Sequence, residues 1–137
     1  MNREIKFRGK CLVDIGNIKK GDWVYGGISY DTDRVWIDML YYGQILVDKE
    51  TVGQYTGLHD KNGKEIYEED ILKFSDVDTA IVEWNEKYSS FIVKPIQDYY
   101  FDSEILGHAI EYSNVEVIGN VFEKGILLND SEKSKKN

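Results

Sequence analysis

The sequence predicts a mainly β fold of the β-rich α+β class, a small antiparallel barrel or sandwich with one short helix near residues 98–110. Apolar residues form short runs or alternate with polar ones, and these runs recur about every ten residues, as in all-β domains. Aromatic and β-branched side chains dominate the runs, which is typical of strands. The 137 residues, 42% of them apolar, suffice for one core. We therefore expect a single domain over residues 1–128.

The first half of the chain is expected to form a hairpin and three further strands. Residues 22–30 are rich in aromatic and β-branched side chains, and residues 35–39 match them across a polar turn. Gly26 and Gly27 lie inside this hairpin, where a bulge or a close approach of two backbones explains them. The further strands are predicted at residues 5–7, 45–47 and 52–56.

The middle of the chain is expected to turn tightly. Asn62 and Gly63 tolerate positive φ, as a type I′ turn requires, so residues 58–66 are predicted to form a tight turn. Residues 68–70 are acidic and are expected to form a single helical turn. Strands are then predicted at residues 71–74, 79–84 and 91–94.

The last part of the chain carries the one predicted helix. Apolar residues lie at helical spacing between residues 96 and 112, although Gly107 weakens the pattern. A final strand at residues 115–118 is expected to continue through 121–122 past a kink or bulge. Residues 129–137 contain no apolar side chain, so we expect a disordered tail.

Charge is distributed unevenly along the chain. There are 25 Asp and Glu against 17 Lys and Arg, a net charge of −8, and residues 1–20 carry +4, residues 21–128 carry −13 and residues 129–137 carry +1. The acidic body disfavours nucleic acid as a partner. The basic segment predicts either pairing with the acidic body of its own or a neighbouring subunit, or a strand edge whose lysines discourage aggregation.

Several function classes are excluded by what the sequence lacks. The uncharged runs are far shorter than the ~20 apolar residues of a membrane-spanning helix, and the first residues contain no apolar signal core. We therefore expect a cytoplasmic protein without membrane contact. Cys11 is the single cysteine, which excludes an internal disulfide, and it is expected to be a small buried hydrophobe. His59 and His108 match no metal-binding spacing.

One group of carboxylates is the nearest approach to a chemical site. Glu65, Glu68, Glu69 and Asp70 are suited to acid–base chemistry or to a hard cation such as Mg²⁺, but we favour a solvated turn that caps a short helix. The sequence contains no phosphate-binding loop and no serine hydrolase motif. We expect no catalytic residue, no cofactor and no metal ion.

The aromatic residues are the strongest indication of a contact surface. Tyr and Trp exceed what a small core needs, and such rings are enriched at protein interfaces because they bury a large area and keep a polar tip. Stacking on single-stranded bases is less favoured because the body contains few basic residues. A Tyr-rich core is an equally good interpretation. The candidate interface residues are Trp23, Tyr25, Trp36, Trp84, Tyr99 and Tyr100.

The chain contains four distinctive blocks, residues 3–8, 23–26, 54–71 and 115–123, of which the central block is the longest and most specific. Together these blocks resemble the YopX family of phage and prophage proteins. This chain departs from the family pattern at Glu69, where Gly is common, and at His59, where Lys is usual. If that Gly adopts positive φ, Glu69 must be strained or the chain must turn differently.

The resemblance implies an origin in a bacteriophage or prophage, a location in the bacterial cytoplasm and a small, partly open β-barrel of SH3-like character. It brings no established activity, cofactor or catalytic residue. The shared central block has a structural character, in which Tyr55 and Tyr67 pack across the turn and Asp70 caps the following strand. The residues of this structural motif are Tyr55, Gly57, Asp60, Asn62, Gly63, Tyr67 and Asp70.

Three functional hypotheses follow from the sequence. The leading one is a non-enzymatic accessory protein that acts through protein–protein contacts and self-association, as a homo-oligomer or with a host or phage protein. The second is an acidic mimic that blocks a host nucleic-acid-binding protein. The third is a metal-dependent hydrolase or nuclease that uses Glu65, Glu68 and Asp70.

Overall fold

The computed structural model describes residues 2–74, 78–96 and 103–123. Within these ranges the chain forms strands and one short helix, which confirms the mainly β prediction. In chain order the elements are β1 (Phe7–Cys11), β2 (Trp23–Tyr30), β3 (Val35–Met39), β4 (Gly43–His59), β5 (Glu65–Tyr67), β6 (Asp70–Phe74), β7 (Asp78–Asn85), β8 (Ser90–Pro95), β9 (Glu104–Ile105), α1 (Leu106–Tyr112) and β10 (Val115–Asn120). The chain divides into two compact units, residues 1–57 and 58–137.

The first unit is a small barrel of four antiparallel strands. β1 pairs with β2, β2 with β3 and β3 with β4, and β4 pairs back onto β1, so the ladder closes into a ring. This confirms the predicted barrel and the predicted hairpin of β2 and β3. The ring encloses an apolar core of Cys11, Val24, Ile37, Ile45 and Val47. Cys11 is buried, as predicted, and its S–H group donates a hydrogen bond to the Lys19 carbonyl oxygen at 2.9 Å.

The prediction of two short strands at residues 45–47 and 52–56 is wrong, because β4 is a single strand of 17 residues. The polar residues between the two apolar runs suggested a break. They stay in the ladder because Thr51 satisfies the backbone there: its hydroxyl donates to the Asp48 carbonyl at 2.6 Å and accepts the Lys10 N–H at 2.9 Å. The register of β1 on β4 shifts between Arg8 and Lys10, which accommodates the irregularity.

The second unit contains an antiparallel sheet in the order β10-β6-β7-β8-β9. Its core combines residues of the sheet with Leu106 and Ala109 of α1. The predicted strands at 71–74, 79–84 and 91–94 are confirmed as β6, β7 and β8. A register shift between Val117 and Gly119 confirms the predicted bulge in the last strand.

The one short helix predicted near residues 98–110 is confirmed as α1, but its start differs from the prediction, and two other predictions for the second unit are wrong. Helix α1 starts at Leu106, because residues 104–105 pair with β8 as β9, and residues 97–102 lie outside the described ranges. Residues 68–69 form a turn rather than a helical turn, since β5 and β6 flank them closely. Residues 121–122 do not continue β10: the Asn120 side chain accepts the Phe122 N–H at 2.9 Å and starts a turn.

The first strand also differs from its prediction, since it starts at Phe7 rather than Ile5 and continues through Cys11. The single domain over residues 1–128 stays a prediction. The predicted tail at residues 129–137 lies outside the described ranges.

Candidate interaction surface

The loop between β3 and β4 carries three consecutive apolar side chains, Leu40, Tyr41 and Tyr42. Met39 pairs with Gly43, so these residues form the whole loop. The Tyr42 N–H donates to the Met39 carbonyl oxygen at 3.1 Å and closes a four-residue turn whose third residue is Tyr41. Tyr41 has φ +74°. A turn with positive φ at this position favours Gly or Asn, so Tyr41 stands where a large side chain is disfavoured.

The strain at Tyr41 is not compensated by burial. The side chain of Tyr41 is 95% exposed and that of Leu40 is 79% exposed. A residue other than glycine in this region of φ costs about 1 kcal/mol or more. Because Tyr41 buries almost no apolar surface, the folded chain regains little of this free energy. Strained residues of this kind concentrate at binding and catalytic sites.

A second loop, between β1 and β2, exposes three further apolar side chains, those of Leu12, Val13 and Ile15. Gly16, with φ +58°, lies against the ring of Tyr42: a Cβ atom at this glycine would be 3.2 Å from Tyr42 Cε1. The two loops therefore touch each other within the first unit. We refer to Leu12, Val13, Ile15, Leu40, Tyr41 and Tyr42 as the barrel-end patch.

The β1–β2 loop also carries charges of both signs. Asp14, Lys19, Lys20 and Asp22 are all exposed. The Asp14 carboxylate accepts the Lys20 N–H at 2.8 Å, and the Asp22 carboxylate accepts the Lys19 N–H at 2.9 Å. These bonds fix the β1–β2 loop in the conformation that exposes its apolar residues. The loop contains two lysines and two aspartates, so its net charge is zero.

The interface residues predicted from the sequence did not include this patch, although the sequence contains an indication of it. Tyr41 and Tyr42 contributed to the surplus of aromatic residues, but neither was among the candidate interface residues. The signal is local: Leu-Tyr-Tyr-Gly stands between two strands, where polar turn residues are expected. Leu12, Val13 and Ile15 were similarly apolar outside any predicted strand.

The predicted interface residues of the first unit lie on its strands. Trp23 is half-buried, and the Arg8 guanidinium and the Lys10 ammonium lie 4.7 and 5.4 Å from its ring centroid. Trp36 is half-buried, with the Arg34 guanidinium 5.0 Å from its ring. These cations cover both indoles. Tyr25 is exposed.

The predicted interface residues of the second unit are described only at Trp84, since Tyr99 and Tyr100 lie outside the described ranges. Trp84 is about half exposed and packs edge-on against Phe91, with ring centroids 5.1 Å apart. A shallow cavity of about 210 Å³ lies in the same unit, and its lining residues include Tyr88, Ile92 and Ile105. The six predicted residues are therefore not shown to form one surface.

Asp60 organises the central block that carries the family resemblance. Its carboxylate accepts the N–H groups of Asn62 at 2.8 Å, Lys64 at 2.9 Å and Val117 at 2.9 Å. Burial raises the pKa of the Asp60 carboxyl, but these three donors and the Lys64 charge outweigh that effect, so its pKa lies below the ordinary value. Asp60 thus ties the β4–β5 hairpin to β10.

The turn at Asn62 and Gly63 is not the predicted type I′ turn. Of the two residues, Gly63 alone has positive φ, +81°. The Gly63 N–H donates to the Asp60 carbonyl and the Asp60 N–H to the Lys64 carbonyl, which makes a three-residue hairpin loop with glycine in the left-handed conformation. The Asp60 carboxylate, by binding the Asn62 N–H, favours this loop.

The other residues of the structural motif also stabilise backbone or pack. Gly57 has φ +86°, which fits its predicted role in a bend. Tyr55 is buried in the first unit, with the Lys6 ammonium 5.2 Å from its ring. In the second unit the buried Asp70 carboxylate accepts the Tyr67 N–H at 2.8 Å and caps the β5–β6 turn.

The structure brings no metal-binding cluster together in the ranges that it describes. Among those residues, no group of three or more His, Cys, Asp or Glu side chains is placed to hold a metal ion. Asp70 is 1% exposed and supports the backbone, and the Tyr67 hydroxyl donates to Glu65 at 3.2 Å. His59 and His108 are both exposed. No helix within the described ranges is long and apolar enough to span a membrane.

Comparison with known proteins identifies one family. The family model described as YopX protein matches residues 11–129 of the chain. The match includes both loops of the barrel-end patch and the hairpin that Asp60 organises. No curated protein matches the sequence.

Proposed function

This chain belongs to the YopX protein family, and we propose that it is a non-enzymatic accessory protein of a phage or prophage. In this proposal it acts in the bacterial cytoplasm through protein–protein contacts and associates with itself. Family membership supports the phage origin through the resemblance of its sequence blocks. It carries no reaction or ligand with it, so the proposed mode of action depends on the surface.

The observation that carries the proposal is the barrel-end patch. Six apolar side chains of two touching loops are each more than a third exposed. Contiguous exposed apolar surface on a soluble domain marks an interaction site more often than isolated exposed residues do. Tyr is also enriched at protein interfaces, because its ring buries area while the hydroxyl remains solvated.

The distribution of charge supports association through the first unit. Residues 1–57 carry eight basic and eight acidic side chains, whereas residues 58–137 carry nine basic and seventeen acidic ones, which accounts for the whole net charge of −8. The basic residues of the opening segment are thus balanced within their own unit. A neutral surface can approach another copy without long-range repulsion.

Size-exclusion chromatography with light scattering tests the proposal on the full chain at micromolar concentration, at 50 and 500 mM NaCl. We expect a mass of two or more chains at both salt concentrations, because an apolar contact persists when charges are screened. A mass of one chain under both conditions would contradict self-association. The variant Tyr30→Ser controls for the loss of an exposed aromatic side chain elsewhere, since Tyr30 is exposed and lies outside the patch.

The acidity of the second unit favours one alternative function, a mimic of nucleic acid that occupies a basic host protein. Seventeen acidic side chains in residues 58–137 would attract a basic cleft through long-range electrostatics. The test is capture of host nucleic-acid-binding proteins on the immobilised full chain, followed by elution with duplex DNA. DNA should displace a true target at salt concentrations where the binding is measurable. Captured proteins that DNA does not displace would contradict the mimic.

A further inference from the structure

We propose that the barrel-end patch is a self-association surface, and that it docks against the same patch of a second copy about a two-fold axis. This inference rests on the proposed function and assigns its contact to six residues. In such an interface each subunit contributes the same surface, so every contact occurs twice. The aromatic tip at Tyr41 and the apolar loop at Ile15 supply the buried centre, and the exposed charges supply the rim.

The loop tip at Tyr41 carries a free-energy cost in the isolated chain. Tyr41 holds φ +74° while 95% of its side chain is exposed, and Leu40 beside it is 79% exposed. Glycine would satisfy this turn without strain and without exposing an aromatic ring. A partner molecule that buries the ring compensates for the free-energy cost of the strain and the exposure. Tyr is also among the residues that contribute most to binding free energy at the centre of interfaces.

The charges of the first unit favour a second copy of the chain as the partner. The rim of Asp14, Lys19, Lys20 and Asp22 carries both signs in equal number, so a two-fold copy can oppose unlike charges. The unit that bears the patch is neutral, whereas residues 58–137 carry −8. The charge distribution therefore favours self-association through the neutral first unit, which carries the patch.

A lipid surface is the other partner that an apolar loop tip with lysines suggests. Loops of that kind carry an excess of basic residues, which attract anionic headgroups. Here Asp14 and Asp22 balance the two lysines of the rim, and the chain as a whole is repelled by an anionic surface because it carries −8. The charges therefore favour a second copy of the chain.

Sedimentation equilibrium of full-length variants tests the inference, and Tyr41→Gly is its most informative variant. Glycine removes the aromatic ring and also relieves the backbone strain. We expect the dimer dissociation constant to rise at least tenfold while the thermal midpoint of the dissociated protein rises. A residue that only supports the fold would lower both association and thermal stability when it is replaced.

Leu40→Asp is the second variant, because it places a charge in the patch at a residue whose φ is negative. It is also expected to raise the dissociation constant at least tenfold. Tyr112→Gln is the matched control, since Tyr112 is a 78% exposed aromatic residue in the second unit, and it should leave the constant within twofold of the wild-type value.

The outcomes separate this inference from the proposed function. If the wild-type chain is dimeric and both patch variants keep its dissociation constant, the assignment to this patch fails and self-association stands. If the wild-type chain is monomeric at all concentrations, both fail. If the wild-type chain sediments with vesicles of phosphatidylcholine and phosphatidylserine and Tyr41→Gly does not, the patch binds lipid and the inference is overturned.

Discussion

At the scale of single residues, the chain retains side chains at backbone positions that favour glycine. Glu69 has φ +70°, and its backbone is held in place from both sides: its N–H donates to the Val82 carbonyl at 2.8 Å and its carbonyl accepts the Val121 N–H at 3.0 Å. The turn therefore cannot relax to negative φ without losing these bonds. The sequence left two possibilities open at Glu69, a strained backbone or a different turn. The structure has the strained backbone.

We predict that Glu69→Gly is more stable than Glu69→Ala by about 1 kcal/mol in free energy of unfolding, because both remove the same side chain and only glycine adopts φ +70° without strain. Urea denaturation of the two variants measures the difference. The comparison cancels whatever contacts the Glu69 side chain makes. Equal stability of the two variants would contradict a strained backbone at this residue.

Asp60 shows how one carboxylate can determine a hairpin. Its folded-state pKa is lowered, so it binds its proton less readily in the folded chain than in the unfolded one. Its contribution to stability is therefore complete above the unfolded pKa of about 3.9, and is lost as the pH falls through the lower folded-state pKa. The hydrogen bonds from Asn62, Lys64 and Val117 supply that contribution.

We predict that Asp60→Asn lowers the free energy of unfolding at pH 7 by about 1–3 kcal/mol, because a charged acceptor of three N–H groups becomes a neutral amide. The loss should shrink as the pH falls below about 4, because the carboxylate of the unfolded wild-type chain becomes protonated first and that of the folded chain follows at its lower pKa. Urea denaturation between pH 2.5 and pH 7 measures both effects. Asp33→Asn, at an exposed residue, is the control and should change stability by less than about 0.5 kcal/mol. A deficit that is the same at every pH would contradict the role of the charge.

At the scale of elements, the sequence predicted most strands because they alternate in polarity or form short apolar runs. The prediction from sequence failed where side-chain hydrogen bonds or short strand pairings override the polarity pattern. Residues 48–51 are polar and suggested a break, but the Thr51 hydroxyl satisfies the ladder and β4 continues. β9 has two residues, which is too short for any periodicity, and it includes two residues of the predicted helix, Glu104 and Ile105, which pair with β8 instead. Such pairings depend on tertiary contacts that a single sequence does not reveal.

The candidate surface was less predictable than the fold. Composition indicated that aromatic residues form a contact surface, but it did not say which of them are exposed. Trp23 and Trp36 were among the predicted interface residues, yet cations of the same unit lie over their rings. Tyr41 is exposed because a three-residue loop places it at the end of a hairpin. Exposure at a loop tip depends on strand register, and the register follows from the pairing of the strands, which composition does not reveal.

The β2–β3 pair contains a close backbone approach that the two adjacent glycines had suggested. A Cβ atom at Gly26 would lie 2.1 Å from the Asp38 carbonyl oxygen, whereas one at Gly27 would lie 3.7 Å from the Asp38 side chain. The first distance is impossible without moving a strand, and the second is an ordinary contact. Gly26 therefore permits the close approach of the β2 and β3 backbones.

We predict that Gly26→Ala lowers the free energy of unfolding by about 2 kcal/mol or more, because the added methyl group forces β2 and β3 apart. Gly27→Ala, its neighbour in the same strand, should change stability by less than about 1 kcal/mol. Thermal and urea denaturation of the two variants give the comparison. Equal losses at the two positions would show that strand propensity, and not the approach to Asp38, governs the effect.

At the scale of the whole molecule, the net charge belongs to one of the two compact units. Residues 1–57 are neutral and residues 58–137 carry −8, although the sequence divided by simple segments had suggested a basic arm and an acidic body. Like charges concentrated in one unit repel one another and destabilise it, and salt screens this repulsion with a length of about 10 Å at 0.1 M. The neutral unit has no such excess, so salt should affect the two units differently.

We predict that removing carboxylates from the second unit stabilises the chain at low salt and that the same change in the first unit does not. Glu86→Gln with Glu111→Gln replaces two exposed carboxylates of the acidic unit, and Asp33→Asn with Glu50→Gln replaces two exposed carboxylates of the neutral unit. In 20 mM NaCl the first pair should raise the urea midpoint, with a gain of about 0.5 kcal/mol in the free energy of unfolding, and the second pair should leave it unchanged or lower it. In 300 mM NaCl the two pairs should converge, because screening removes the repulsion that distinguishes them. If both pairs raise the midpoint equally at low salt, the repulsion is a property of the total charge and not of one unit.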